Sequence, residues 1–358
     1  MEPQTGSYIV TFGELREGNY SLPDDRYGVA ASVLTPAMVE ALSACPFVKE
    51  DDTVALYFAL VDGVIAGREV YFTSRVKAGE EIVDAESASS LGVDPAYRHL
   101  AVGADIVMAT FLRSRVFLGA GVSQMALPLD RKLKFHILEF PRLMQLRSAG
   151  PLLAARHLSW LKGLANLPLG WFNRSVVRKA DRLSRKFRIE QVARIPDWVD
   201  DIVLQDGHKY AAFHNHEWLQ WNLDHRFYDL PHLRKAFFCV YQEGEPVGFY
   251  MIKERFKEKA GGLENVVVGS LVEWGTKDES RLSECDLLLL SLRDFSAAVD
   301  IVETGTADTK MVRACRRYGF LPHGKANIVF KDRTKKYADA SDISLWRVRL
   351  GCGDVILT

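Results

Sequence analysis

The sequence predicts a mixed α/β protein made of two similar halves in tandem, and three observations predict it. The chain has 358 residues, enough for about two domains with their own cores. Residues 8 to 147 alternate short β-type runs with helical patterns. From Lys186 the same succession begins again.

In the first half, Tyr8 to Phe12 reads as a strand, followed by a polar loop through Asp24-Asp25-Arg26-Tyr27-Gly28. Thr35-Pro36 starts a helix, a cap residue with proline at the first helical position, which carries Met38, Val39 and Leu42 to about Cys45. Val54 to Val61 and Val64 to Ser74 read as strands joined at Asp62-Gly63, a strong hairpin signal. Glu81 to Val93 is the next strand, and Asp94-Pro95 ends it. Ile106, Val107, Ala109, Phe111 and Leu112 then follow at helical spacing, and Gly121 to Ala126 reads as a further strand.

Between strand and helix, Arg98-His99-Leu100-Ala101-Val102-Gly103-Ala104 has the chemistry of an anion turn. The first turn of a helix carries unpaired N–H groups and a partial positive charge. Ala101, Gly103 and Ala104 leave its backbone accessible, and Arg98 adds a charge-assisted contact. Gly119-Ala-Gly121 lacks the third glycine of a dinucleotide loop and precedes a strand, so it is set aside.

At these residues the chain resembles the GNAT superfamily of acyl-CoA-dependent N-acyltransferases. The likeness lies in a strand ending Val93-x-Pro95, then Tyr97-Arg98, then the pyrophosphate loop from Arg98 to Ala104, with Ala101 where glycine is usual. It implies acetyl-CoA or another acyl-CoA as cofactor, held by Leu91, Val93 and residues 98 to 104, with the Val93 N–H as donor to the thioester carbonyl. It also implies a helix over Leu127 to Phe140, in which Phe135 replaces the tyrosine that often serves as general acid. A phenyl ring donates no proton.

Residues 148 to 184 change character: Trp160, Leu161, Leu164, Leu167 and Trp171 precede a basic run of Arg174, Arg178, Lys179, Arg182, Arg185, Lys186 and Arg188. An interfacial helix on a membrane, through residues 171 to 188, is one reading. A helical connector packed between domains is the favoured one, because Pro168 and Gly170 interrupt any single amphipathic helix.

The second half reads as a strand over Phe187 to Ala193, a helix over Ile195 to Leu204, and a hairpin of Phe237 to Tyr241 with Val247 to Lys253 about Glu243-Gly244-Glu245-Pro246. Val266 to Trp274 is a strand, Ser283 to Phe295 a helix, Asp300 to Thr304 a short strand, and Asp308 to Phe320 a last helix. That last segment resembles the second GNAT signature, with Gly319-Phe320 intact and Cys315 at the usual tyrosine position. No small-residue phosphate loop follows Trp274. The resemblance therefore implies tandem GNAT-like domains: 1–147 with the cofactor loop, a connector at 148–184, and 185–358 with an acceptor-binding role. A tail like Trp346 to Leu357 accompanies this layout in proteins associated with bacterial surface-polysaccharide pathways, an analogy at the level of fold.

Acyl transfer to an amine needs a base. Glu86 is the first candidate, where the family often carries a carboxylate, and Glu273 at the end of the matching strand is the second. His214, His216, Trp218 and Trp221 are candidates for acceptor binding, with an aromatic helix packed on the core as the other reading. A metal site is not expected, since Trp218 and Leu219 break the His-x-His-x-Asp-His spacing.

The balance of 46 basic and 46 acidic residues does not point to nucleic acid, and five scattered cysteines suit a reducing compartment. With no signal-like N-terminus and no window of roughly 20 apolar residues, a cytoplasmic protein is expected. The expected function is an acyl-CoA N-acyltransferase acting on a small amine by direct attack on the thioester. A non-catalytic acyl-CoA or polysaccharide-precursor binder is the alternative.

Overall fold

The structure, a computed structural model, describes residues 3–123, 125–260 and 262–352. In chain order the first half comprises β1 (Thr5–Thr11), α1 (Phe12–Glu17), α2 (Pro36–Ser43), β2 (Val54–Val61), β3 (Val64–Ala78), β4 (Glu81–Val93), α3 (Val102–Arg113), β5 (Val116–Ala120), α4 (Leu127–Lys132) and β6 (His136–Leu146). α5 (Gly150–Ala154) and α6 (Lys162–Ser184) follow. The second half comprises β7 (Arg188–Val192), α7 (Val199–Gln205), β8 (Tyr210–Ala212), α8 (His216–Asp224), β9 (Leu233–Gln242), β10 (Glu245–Ala260), β11 (Leu263–Thr276), α9 (Glu284–Ser291), β12 (Ile301–Gly305), α10 (Thr309–Arg317), β13 (Phe320–Asp332) and β14 (Trp346–Arg347).

All the described strands join one mixed sheet, in the order β1-β2-β3-β4-β5-β13-β6-β12-β11-β10-β9-β7, with β8 and β14 beside β3. β4 pairs β5 in parallel, and so does β11 with β12. The two halves exchange strands at the centre. β13, from the second half, lies between β5 and β6, and β6, from the first, lies between β13 and β12. The apolar residues follow the exchange: Val116, Leu118, Leu138 and Phe140 share one core with Tyr210, Ile328, Phe330, Trp346 and Val348.

The hairpins form where the sequence places them. Asp62-Gly63 takes φ of 50° and 77°, and Glu243-Gly244 takes 53° and 88°, the positive values of a tight turn between twisted strands. Thr35 caps α2 by accepting from the Met38 N–H, and Pro36 opens it.

Three expectations are corrected. The strand expected at Gly121 to Ala126 lies instead at Val116–Ala120, where the apolar run is, and Gly121, at φ 71°, ends it. The helix expected from Leu127 to Phe140 stops at Lys132; Lys134 turns left-handed at φ 59°, and His136–Leu146 becomes a strand with partners on both edges. α6 runs unbroken through Pro168 over 23 residues, so proline does not divide it. Of the expected tail, Trp346 is buried and donates from Nε1 to the Ala340 carbonyl at 2.9 Å, while residues 353–357 lie outside those described.

Strand exchange has a direct consequence for fragments. A chain ending at Arg147 lacks β13 and leaves β5 and β6 with open edges, which invite aggregation. Residues 1–147 alone are expected to be insoluble, and co-expression with 148–358 to restore a soluble complex, read by gel filtration.

Candidate functional site

β4 and β5 pair at a single position, Glu86 opposite Phe117, and then part. On its other edge β4 bulges: Arg68 faces Gly92 and Val70 faces Ser89, so Ser90 and Leu91 stand opposite Glu69 alone. Ser90 takes φ 58°, and Arg68 Nη1 donates to its carbonyl at 3.1 Å. Beyond the bulge the Asp94 N–H donates to Ala66 on β3 at 2.9 Å. Backbone groups alternate along a strand, so the neighbouring Val93 N–H is turned to the opposite edge, where β5 has left.

The chain then makes a 3-10 turn over Pro95–Leu100, capped by Asp94 accepting from the Ala96 N–H at 2.8 Å. Ala101 is left-handed at φ 59°, and α3 starts without a side-chain cap. The Ala104 N–H donates to the Ala101 carbonyl at 2.7 Å, so the N–H groups of Val102 and Gly103, for which no side-chain cap competes, are the ones left to an anion. Leu91, Val93, Arg98, Ala101, Gly103 and Ala104 form one wall of a pocket of about 520 Å³; Ser123, Ala126 and Lys132 stand on the other side. A Cβ on Gly103 would meet Val93 at 3.4 Å, ordinary contact, so α3 lies close on β4 here. The rest of the expected loop does not line this pocket. Val102 is buried against Ile106 with Leu100 beside it, and His99 is exposed.

A second cavity of about 250 Å³ opens off the first, sharing Leu91, Val107, Ser123 and Ala126. Glu69, Ser90, Thr110, Gly119, Asp130 and Phe135 are among its walls. Glu69 accepts from Tyr71 Oη at 2.6 Å and Thr110 Oγ1 at 2.7 Å. Burial pushes its carboxyl up to about 7, and burial likewise pushes Asp130 up to about 6. Two carboxyls raised toward neutral pH thus face one small cavity, an arrangement suited to proton transfer.

Glu86 stands behind this cavity and is not one of its walls. It is paired with Arg113 and accepts from Ser114 Oγ at 2.8 Å, and the Arg113 guanidinium lies 4.1 Å from the Tyr71 ring. The expectation that Glu86 is the base is therefore revised to a supporting position, one layer behind Glu69. Sequence reasoning missed Glu69 and Asp130. The available signal was a lone glutamate in the apolar strand Val64 to Phe72.

The second half is built differently. Glu273 is fully buried and binds His214 Nδ1 at 2.6 Å and Arg347 Nη2 at 3.0 Å. Burial alone would raise its carboxyl, but Arg347 and His214 more than offset this and hold it below the ordinary range. His214 stacks on Trp218 at 3.9 Å, both Trp218 and Trp221 are core residues, and Trp221 Nε1 donates to the Ala41 carbonyl at 2.7 Å. His216 bonds Asp200 at 2.8 Å. The expectations of a base at Glu273 and of acceptor binding by His214, His216, Trp218 and Trp221 are revised accordingly, since the stacking faces and the carboxylate are already occupied.

The counterpart of the anion turn is closed as well. Ser283 and Asp286 form a reciprocal cap on α9, and the Glu284 N–H donates to Glu279 at 3.0 Å. The Glu284 and Asp286 amides in the first turn of α9 are thus taken by the chain's own side chains. Burial pushes the Cys315 thiol up to about 12, so it stays protonated.

No protein-family model matches the sequence, and no curated protein matches it by sequence. Solved structures do match. A GCN5-related N-acetyltransferase from Anabaena variabilis superposes with a TM-score of 0.54 at 9% identity, over 92% of this chain and 73% of that one. Saccharomyces cerevisiae N-myristoyltransferase with bound myristoyl-CoA gives 0.55 at 11% identity, over 92% and 82%. A second structure of that protein with myristoyl-CoA gives 0.57 at 10%, over 92% and 79%. These likenesses show that the chain shares the fold of those structures.

The raised carboxyl of Glu69 predicts a pH dependence. Its folded value of about 7 exceeds its ordinary 4.5, so between those limits the folded chain keeps a proton that the unfolded chain has lost. Stability should fall as pH rises through this window, by up to about 3 kcal/mol, and level off above it. Glu69→Gln should remove most of that fall between pH 5 and 8 in urea titrations, and Asp130→Asn a smaller part nearer its lower value.

Proposed function

We propose that the protein is an acyl-CoA-dependent N-acyltransferase whose cofactor site is the pocket between the parted strands β4 and β5. The observation that carries this reading is the contrast between the two halves: α3 begins with no side-chain cap beside Arg98, whereas the first amides of α9 are taken by Ser283 and Glu279. In this reading residues 1–147 hold the cofactor, 148–184 connect, and 185–358 complete the acceptor side.

Bound acyl-CoA would supply the activated thioester. The first-turn amides of α3 and Arg98 hold the pyrophosphate, with Ala101, Gly103 and Ala104 giving it room. The Val93 N–H donates to the thioester carbonyl oxygen. Glu69 takes the proton from the attacking amine, with Tyr71 and Thr110 fixing its carboxyl and Arg113 and Glu86 supporting Tyr71 from behind. A carboxyl titrating near 7 suits a base at neutral pH. As the C–N bond forms and the C–S bond breaks, the leaving thiolate takes its proton from water, since Phe135 supplies none. Acetyl is the first choice of acyl group, because the inner cavity is small and holds two acids. A small amine, such as an amino sugar, is the acceptor class, and the cytoplasm, where acyl-CoA is made, is the compartment in which five free thiols persist.

Acetyl-CoA at about 100 times its Kd should stabilise the fold by about 2.7 kcal/mol. Gly103→Glu should abolish the rise in Tm by placing a carboxylate at the anion turn. Glu69→Gln should keep that rise and lower kcat for CoA release by roughly 100-fold or more at neutral pH. Stabilisation without CoA release for any amine would favour the binding-protein reading, and no stabilisation by acetyl-CoA or longer acyl-CoAs would overturn both.

A further inference from the structure

The helix α6 packs one face on the second half and leaves the other bare. Phe172, Val176, Ala180 and Leu183 join the core formed with α9 and α10, and Asn173 Nδ2 donates to the Leu146 carbonyl at 3.3 Å. The residues the sequence assigned to a buried connector face are the ones left outside. Trp160 is 77% exposed, Leu164 67%, Leu167 66% and Trp171 70%. A soluble surface seldom carries so many large apolar side chains together.

These positions form a stripe. At roughly 100° per residue, Leu164, Leu167 and Trp171 fall within an arc of roughly 60° on one face of α6, and Trp160 stands just ahead of them in the 3-10 turn Ser159–Leu161. Continuing the same arc toward the C-terminus places Arg174, Arg178, Arg182 and Arg185, all exposed. None of these four has an ion-pair partner among the described residues, whereas Arg188 just beyond pairs with Glu190 at 3.1 Å. Asp181 is the lone acid of α6. One face is therefore apolar and aromatic in its first half and cationic in its second.

We infer that this face docks the protein on an anionic phospholipid bilayer. Tryptophan and leucine side chains enter the boundary between headgroups and acyl chains, where an indole keeps both an apolar body and a polar N–H satisfied. The arginines then meet lipid phosphates, to which a guanidinium donates in a fork. No helix among the described residues is long and apolar enough to cross a membrane, so the attachment is peripheral. A second copy suits the stripe less well. Its four arginines bring no complementary acids, so a parallel copy would set them against like charge and an antiparallel one against the apolar residues, without a charged partner.

The test uses the full chain with phosphatidylcholine vesicles, with and without phosphatidylglycerol. We expect flotation with the anionic vesicles only, weakened by salt, and a blue shift of tryptophan emission from Trp160 and Trp171. Arg178→Glu with Arg182→Glu should lower partitioning by at least about 25-fold, the value for losing two surface cations. Trp171→Ala with Leu167→Ala should lower it while leaving Tm unchanged, since both side chains are exposed. Three results would overturn the inference: no flotation with any vesicle at low salt, flotation undiminished in both variants, or a dimer in sedimentation that Trp171→Ala converts to a monomer without vesicles. Because it reads vesicle binding alone, this experiment fails or succeeds independently of acyl transfer.

Discussion

Two parallel strands that pair at one position and then diverge leave backbone donors without strand partners, and a folded chain must satisfy or expose them. β4 and β5 diverge past Glu86 and Phe117. The pockets follow from this. The outer one lies where α3 closes over the opened edge, and the inner one lies deeper, under Phe135 and beside Glu69 and Asp130. The bulge at Ser90 and Leu91 completes the geometry by re-aiming the end of β4, so that the Val93 N–H faces the gap.

The same separation exists in outline between β11 and β12, yet the chain closes it chemically. Ser283 and Glu279 occupy the first amides of α9, and Arg347, His214 and Glu273 form a buried hydrogen-bonded cluster nearby. One fold repeat thus presents an open anion site and the other a satisfied one. The difference rests on a few side chains, because capping residues compete directly with a ligand for the same N–H groups.

Local features were legible in the sequence where short-range chemistry decides them. Thr35-Pro36 fixed the start of α2, Asp62-Gly63 and Glu243-Gly244 fixed two hairpins, and Arg98 to Ala104 marked the anion turn. Features decided by distant partners were not. The exchange of β6 and β13 joins residues nearly 200 positions apart, and the β-structure of His136–Leu146 depends on both neighbours. Glu69 gave little sign of its role because its environment is assembled from β3, α3 and α4. Pro168 misled in the other direction. The proline rule describes a local cost, and here α6 is held by tertiary packing of Phe172, Val176 and Ala180.

Acyl-CoA is proposed to seat on the opened edge of β4 and the first turn of α3. Amide hydrogen exchange of the full chain with and without acetyl-CoA tests it most directly, because the amides in question are the proposed ligands. Slowed exchange confined to residues 91–104 is expected, with the first turn of α9 unchanged. Protection at residues 283–287 instead, or none in the first half at saturating acetyl-CoA, would contradict it.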